Sequence, residues 1–131
     1  MTFDDLERSL PNGLHDAELL RLRIDYAALE AVIDVSIDIG DSEAKESQDD
    51  SSYRSARITF SGLQFVVIDP PDRFSDRAGV SRIDAGTGQP PTAPAKMPPL
   101  SEDSFLFWLF LSDSNNFIRI AARSTALDWL S

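Results

Sequence analysis

The chain has 131 residues, no cysteine, one histidine and a formal net charge of −10. That length suits a single domain, residues 1–131, able to bury a core without cross-links. The lack of cysteine excludes disulfides, thiolate metal sites and cysteine nucleophiles. The charge is uneven: residues 1–50 carry 14 acidic and 4 basic side chains, whereas residues 51–131 carry 8 of each sign. Nucleic acid and anionic membranes both need cations to meet their phosphates, so such a surface disfavours them and favours a basic protein partner. The amino terminus, MTFDDLERSL, lacks the basic and then apolar order of a signal peptide. The longest apolar run, Phe105 to Leu111, falls far short of the ~18 residues that suggest a membrane span. A cytoplasmic location is the expectation.

In chain order, Thr2 to Asp5 predicts a helix start. Thr2 caps it, Asp5 stands at the third helical position, and Asp4 and Asp5 favour the positive end of the helix dipole. Phe3, Leu6 and Leu10 recur at helical spacing, and Pro11-Asn12-Gly13 ends the segment in a type I turn. From Glu18 the period becomes two. Leu20, Leu22, Ile24 and Tyr26 alternate with Leu19, Arg21, Arg23 and Asp25; beyond residue 30, Ile33, Val35, Ile37 and Ile39 alternate with Val32, Asp34, Ser36 and Asp38. A hairpin folded about residues 28–29 pairs Ile24 with Ile33, Leu22 with Val35 and Leu20 with Ile37, and sets Arg23 against Asp34. A one-residue slip would oppose leucine to aspartate, so the apolar face fixes the parity of the register.

Residues 40–52 are polar and acidic and read as a solvated loop. A third strand starts at Tyr53, with Ala56, Ile58 and Phe60 on one face; Ser61-Gly62 marks a bulge or tight turn, and Leu63 to Asp69 continues as strand. Residues 69–104 hold seven of the eight prolines and three of the six glycines. They read as an ordered excursion across the domain, with a short edge strand over Gly79–Asp84. Phe105–Leu111 is a strand covered on both faces, Phe105, Phe107, Leu109 and Leu111 on one and Leu106, Trp108 and Phe110 on the other. A homodimer is the alternative cover for one of those faces. After a turn at residues 113–116, Phe117–Arg123 returns as its partner, and Ser124–Leu130 reads as a final helical turn. The fold class is therefore α+β or mainly β: an antiparallel curled sheet or partial barrel of five to seven strands with a short N-terminal helix.

Recognisable catalytic patterns are missing. His15 has Asp16 beside it and Glu18 three positions on, but neighbours on a strand point to opposite faces, so Asp16 would not orient the imidazole as a catalytic acid does. A zinc site would have to rest almost wholly on carboxylates, and DSEAKESQDD lacks calcium-loop spacing. Gly40 and Ser42 are followed by Ala44 where a nucleophile elbow needs glycine, and the GTG at 86–88 has no lysine after it. No metal or other cofactor is expected. His15 and Asp16 are expected to bond backbone groups where helix, turn and first strand meet. The candidate partner-binding residues are His15, Asp16, Asp34, Asp38, Asp41, Glu43, Glu46, Asp49 and Asp50. The leading reading is a non-catalytic acidic binding protein with a basic protein partner. One alternative is a housekeeping or interaction domain whose acidity maintains solubility. Another is a small enzyme or ligand-binding barrel with its site beneath residues 69–104. A deep polar pocket near His15 or Arg119 would favour that last alternative, and an open acidic face the first reading.

His15, Asp16, Ala17 and Leu19, followed by Ile24, Asp25 and Tyr26, form an HDA-x-L opening and an I-D-Y turn. In these the chain resembles a loose group of small bacterial proteins, some of which look like the immunity proteins that neutralise polymorphic toxins. The resemblance covers roughly the first 40 residues and, more weakly, Ser61–Phe65 and Phe117–Arg123. It implies no catalytic residues. Toxin nucleases are commonly basic, so it implies a basic protein partner, met with fast, steered association.

Overall fold

The computed structural model describes residues 2–40, 53–70, 81–88 and 97–130. One helix, α1 (Phe3–Arg8), precedes eight strands: β1 (Ala17–Asp25), β2 (Glu30–Asp38), β3 (Tyr53–Ser61), β4 (Phe65–Ile68), β5 (Ser81–Thr87), β6 (Phe105–Leu111), β7 (Asn116–Ala122) and β8 (Ser124–Trp129). All eight join one antiparallel sheet in the order β4-β7-β6-β5-β1-β2-β3-β8. The fold is the curled, mainly β sheet that the sequence pattern implies, with more strands than the five to seven expected.

Local chemistry sets the helix. Thr2 Oγ1 accepts the Asp5 N–H at 3.2 Å, and the Asp5 carboxylate accepts the Thr2 N–H at 3.3 Å. This reciprocal cap satisfies two donors that a helix start otherwise leaves open. The Leu10-to-Gly13 turn is closed by the Gly13 N–H on the Leu10 carbonyl at 3.3 Å. Phe3 and Leu6 are buried, and the Phe3 ring lies 4.4 Å from that of Phe107.

The β1–β2 hairpin keeps its predicted parity near the turn but not its register. Ile24 pairs with Ala31 and Leu22 with Ile33, two residues from the expected partners. The turn is centred one residue earlier: the Asp25 carboxylate accepts the Ala28 N–H at 3.0 Å, Leu29 takes φ 54°, and Tyr26 stands out in solvent. A bulge between Leu19 and Arg21 then turns Leu20 outward and lets Leu19 and Ala17 face the core. Arg21, not Arg23, consequently stands opposite Asp34.

The sheet curls because two of its strands bend at a shared corner. The β3–β8 and β4–β7 ladders are joined there by the Arg123 N–H on the Ser61 carbonyl at 3.0 Å and the Gln64 N–H on the Ala121 carbonyl at 2.8 Å. Gly62 makes the bend with φ +65°. The two ends of the sheet are thereby brought together around Ala31, Ile33, Val35, Ile37, Ile58, Phe60, Phe107, Leu109, Ile118 and Ile120, all within the buried core. α1 packs its apolar face onto the same core.

Two sequence expectations need correction. Ser124–Leu130 forms no helical turn: Ser124–Trp129 is strand β8, carried on from β7 past Arg123, with Leu127 packed against the core. Antiparallel pairing with β3, from Ala56–Trp129 to Ser61–Ser124, is what makes it a strand. The strand expected over Gly79–Asp84 is β5, Ser81–Thr87, and it lies inside the sheet between β6 and β1, not at an edge. Ile83 is 2% exposed, and Gly86 gives room for the Trp108 indole, which an added Cβ would approach to 2.6 Å. On β6, Phe107 and Leu109 face the core, while Trp108 and Phe110 pack with Phe117 on the other side. Much of the 69–104 excursion lies outside the described residues. No helix among the described residues is long and apolar enough to cross a membrane.

Candidate functional site

The turn between α1 and β1 holds two residues in the left-handed region, Gly13 at φ 56° and Asp16 at φ 58°. Glycine adopts that conformation without strain, whereas aspartate does so only when its surroundings hold it. Here the Asp16 N–H donates to the Ile83 carbonyl at 3.2 Å, and the Tyr53 hydroxyl donates to the Asp16 carbonyl at 3.3 Å. The turn is thus tied to β5 on one side and β3 on the other.

This backbone places His15 between two carboxylates. Its Nδ1 lies 2.6 Å from Asp84 Oδ1 and its Nε2 3.5 Å from Asp16 Oδ2. Two side-chain carboxylates are thus among its partners, where the sequence pattern pointed to backbone groups. β1 begins only at Ala17, and the left-handed Asp16 escapes strand alternation, so its side chain swings to the same side as the imidazole. Asp84 is 69 residues away in sequence and is brought there by β1–β5 pairing.

Beside this triad lies a pocket of 510 Å³, walled by Asp4, Glu7, Arg8, Asn12, Gly13, Leu14, His15, Asp84 and Ala85. It is open to solvent, with the His15 and Asp84 side chains 71% and 56% exposed. Glu7 lies against the turn: a Cβ added to Gly13 would sit 2.9 Å from Glu7 Cγ. Burial, and then the nearby Asp4 charge, push the Glu7 carboxyl above its ordinary value. Among the described residues, Arg8 is the one arginine on the wall. The arrangement concentrates negative charge in a concave surface, which suits capture of a cationic group.

The remaining candidates are placed differently. Asp34 is 5% exposed and bonded by Arg57, Nε to Oδ1 at 2.7 Å, with Arg21 Nε at 3.4 Å from Oδ2. The Arg57 hydrogen bond holds its carboxyl below the ordinary range despite the opposing effect of burial. Its charge is therefore paired on the face of β2 opposite the core residues Ile33 and Val35, beneath the Arg57 and Arg21 side chains. Asp38 accepts the Gly40 N–H at 2.9 Å, and the Asn12 amide donates to the Asp38 and Gly40 carbonyls at 3.2 and 2.9 Å. Asp38 thus anchors the end of β2 to the 11–16 turn. Asp41, Glu43, Glu46, Asp49 and Asp50 lie outside the described residues.

Asp4, Glu7 and Asp84 escaped the sequence reading. Asp4 and Glu7 are three apart, a helical spacing that puts both on one side of α1, and that was the available signal. Arg119 does not line this pocket. Its side chain is fully buried, with Nη1 2.6 Å from Asp69 Oδ1 and the guanidinium carbon 5.1 Å from the Phe117 ring centre. Among the described residues, no group of three or more His, Asp and Glu side chains has an arrangement that could hold a metal ion. No family model matches the chain, and neither a curated protein nor a solved structure matches it.

Proposed function

We propose that this chain is a non-catalytic acidic binding protein that meets a basic protein partner, and that the His15 pocket receives a cationic side chain of that partner. The observation that carries the reading is the convergence of Asp4, Glu7 and Asp84 on one open 510 Å³ concavity, with Arg8 as the single arginine among the described residues that line it. Glu7 is held partly out of water there at a cost to the free protein, an expense that an incoming cation would offset. The pocket near His15 also fits the ligand-binding alternative, but it is open to solvent, and catalysis fits less well because both ring nitrogens of His15 are turned toward carboxylates. In its biological form the proposal is a bacterial immunity protein acting in the cytoplasm on a basic toxin. The −10 charge would speed that encounter.

Calorimetric titration with a hexa-arginine peptide tests this. Saturable binding is expected at low salt, weakened as ionic strength rises toward ~0.15 M, where screening acts beyond about 8 Å. The combined Asp4→Asn, Glu7→Gln, Asp84→Asn variant should lose most of it. Equal binding by that variant would mean that diffuse surface charge, and not the pocket, attracts the peptide.

A further inference from the structure

We infer that His15 gates the acidic pocket through pH: its imidazolium competes with the incoming cation for Asp84, so that binding tightens as His15 loses its proton. The inference rests on the proposed cation-binding role and adds its regulation. Its basis is geometric. His15 Nδ1 lies 2.6 Å from Asp84 Oδ1, and both residues line the pocket, so the same carboxylate serves the histidine and borders the space a ligand would fill. A protonated imidazole there is a resident cation, and a second cation must displace it or bind against it. A neutral imidazole still fills the volume but no longer neutralises Asp84.

The surroundings reinforce that competition. From its own segment His15 faces Asp16, with Nε2 3.5 Å from Oδ2. Across the pocket α1 presents Asp4, Glu7 and Arg8. From β3 the Tyr53 hydroxyl reaches the Asp16 carbonyl and helps hold the turn. His15 is the only histidine in the chain, and histidine is the side chain whose ordinary titration falls near neutrality. Linkage makes the effect reciprocal: a cation that binds better to the neutral form must also ease the loss of the His15 proton.

The test is the affinity for hexa-arginine between pH 6 and 8 in the wild type and in His15→Gln, with the His15 ring resonances followed by NMR in parallel. The wild type should bind roughly fivefold or more tightly at the upper end of that range, the low end of ordinary coupling between sites. His15→Gln should bind with one affinity throughout, and saturating peptide should move the His15 titration to lower pH. Survival of the wild-type pH dependence in His15→Gln would assign it to another group, such as Glu7, and overturn the inference while leaving the binding role intact. A flat wild-type profile with clear binding would do the same. Absence of binding at every pH would overturn the inference together with the role it rests on.

Discussion

Replacing Gly62 with alanine probes the corner on which the curled sheet depends. Gly62 has φ +65°, and an added Cβ would stand 2.9 Å from both Cβ and Cδ of Arg123. Placing an L-residue in the left-handed region costs roughly 1–2 kcal/mol. The overlap adds about 1–2 kcal/mol more, as small overpackings do, because Arg123 Cβ is fixed to the backbone and cannot swing aside as its exposed guanidinium can. The expected loss is therefore about 2–4 kcal/mol. For a chain of this length each kcal/mol lowers Tm by roughly 3–4 °C, so a fall of about 6–16 °C should appear in thermal unfolding followed by circular dichroism. Gly62→Asn should lose less, since asparagine tolerates this region better than alanine. An alanine variant that melts within about 1 °C of the wild type would refute the positive φ at the corner, and with it the continuity of the β3–β8 and β4–β7 ladders.

Two carboxylates should respond to pH in opposite senses. Asp34 is held below its ordinary value in the folded state, so it adds stability above the unfolded carboxylate range and loses it as pH falls through its folded value. Asp34→Asn should therefore cost about 1–3 kcal/mol at neutral pH, as loss of a charged hydrogen bond does, and flatten the acid limb of a urea-unfolding series. Glu7 is raised, so the folded protein disfavours its charged form, and wild-type stability declines as pH rises from the unfolded carboxylate range through the raised value. Glu7→Gln should remove that decline and melt higher than the wild type at neutral pH. A lower melting temperature would contradict the desolvated placement of Glu7.

Much of the architecture is legible in local pattern. The helix is written in Thr2, Asp5 and the Phe3–Leu6 spacing, because capping and amphipathicity act within a turn or two. The strands are written in period-two alternation, and β6 in its unbroken apolar run. Register is less local. The β1 bulge at Leu20 follows from where the Asp25–Glu30 turn closes, a choice that alternation alone does not make. β8 was missed because STALDWL is short and its alternation is broken by small residues, while β3 supplies the edge that makes it a strand. The candidate site was the least legible part. His15 is conspicuous as the single histidine, but its bond to Asp84 depends on β5 lying beside β1, and the Arg119–Asp69 pair depends on β4 lying beside β7. Sequence separations of 69 and 50 residues put both beyond any short-range pattern.

The central claim is that the pocket at His15, and not acidity in general, takes a cationic partner. An NMR titration of isotope-labelled protein with hexa-arginine at low salt tests it most directly. Saturable amide shifts centred on Asp4, Glu7, His15 and Asp84 are expected, abolished in Asp84→Asn combined with Glu7→Gln. Shifts centred elsewhere on the chain, or undiminished in that variant, would contradict it.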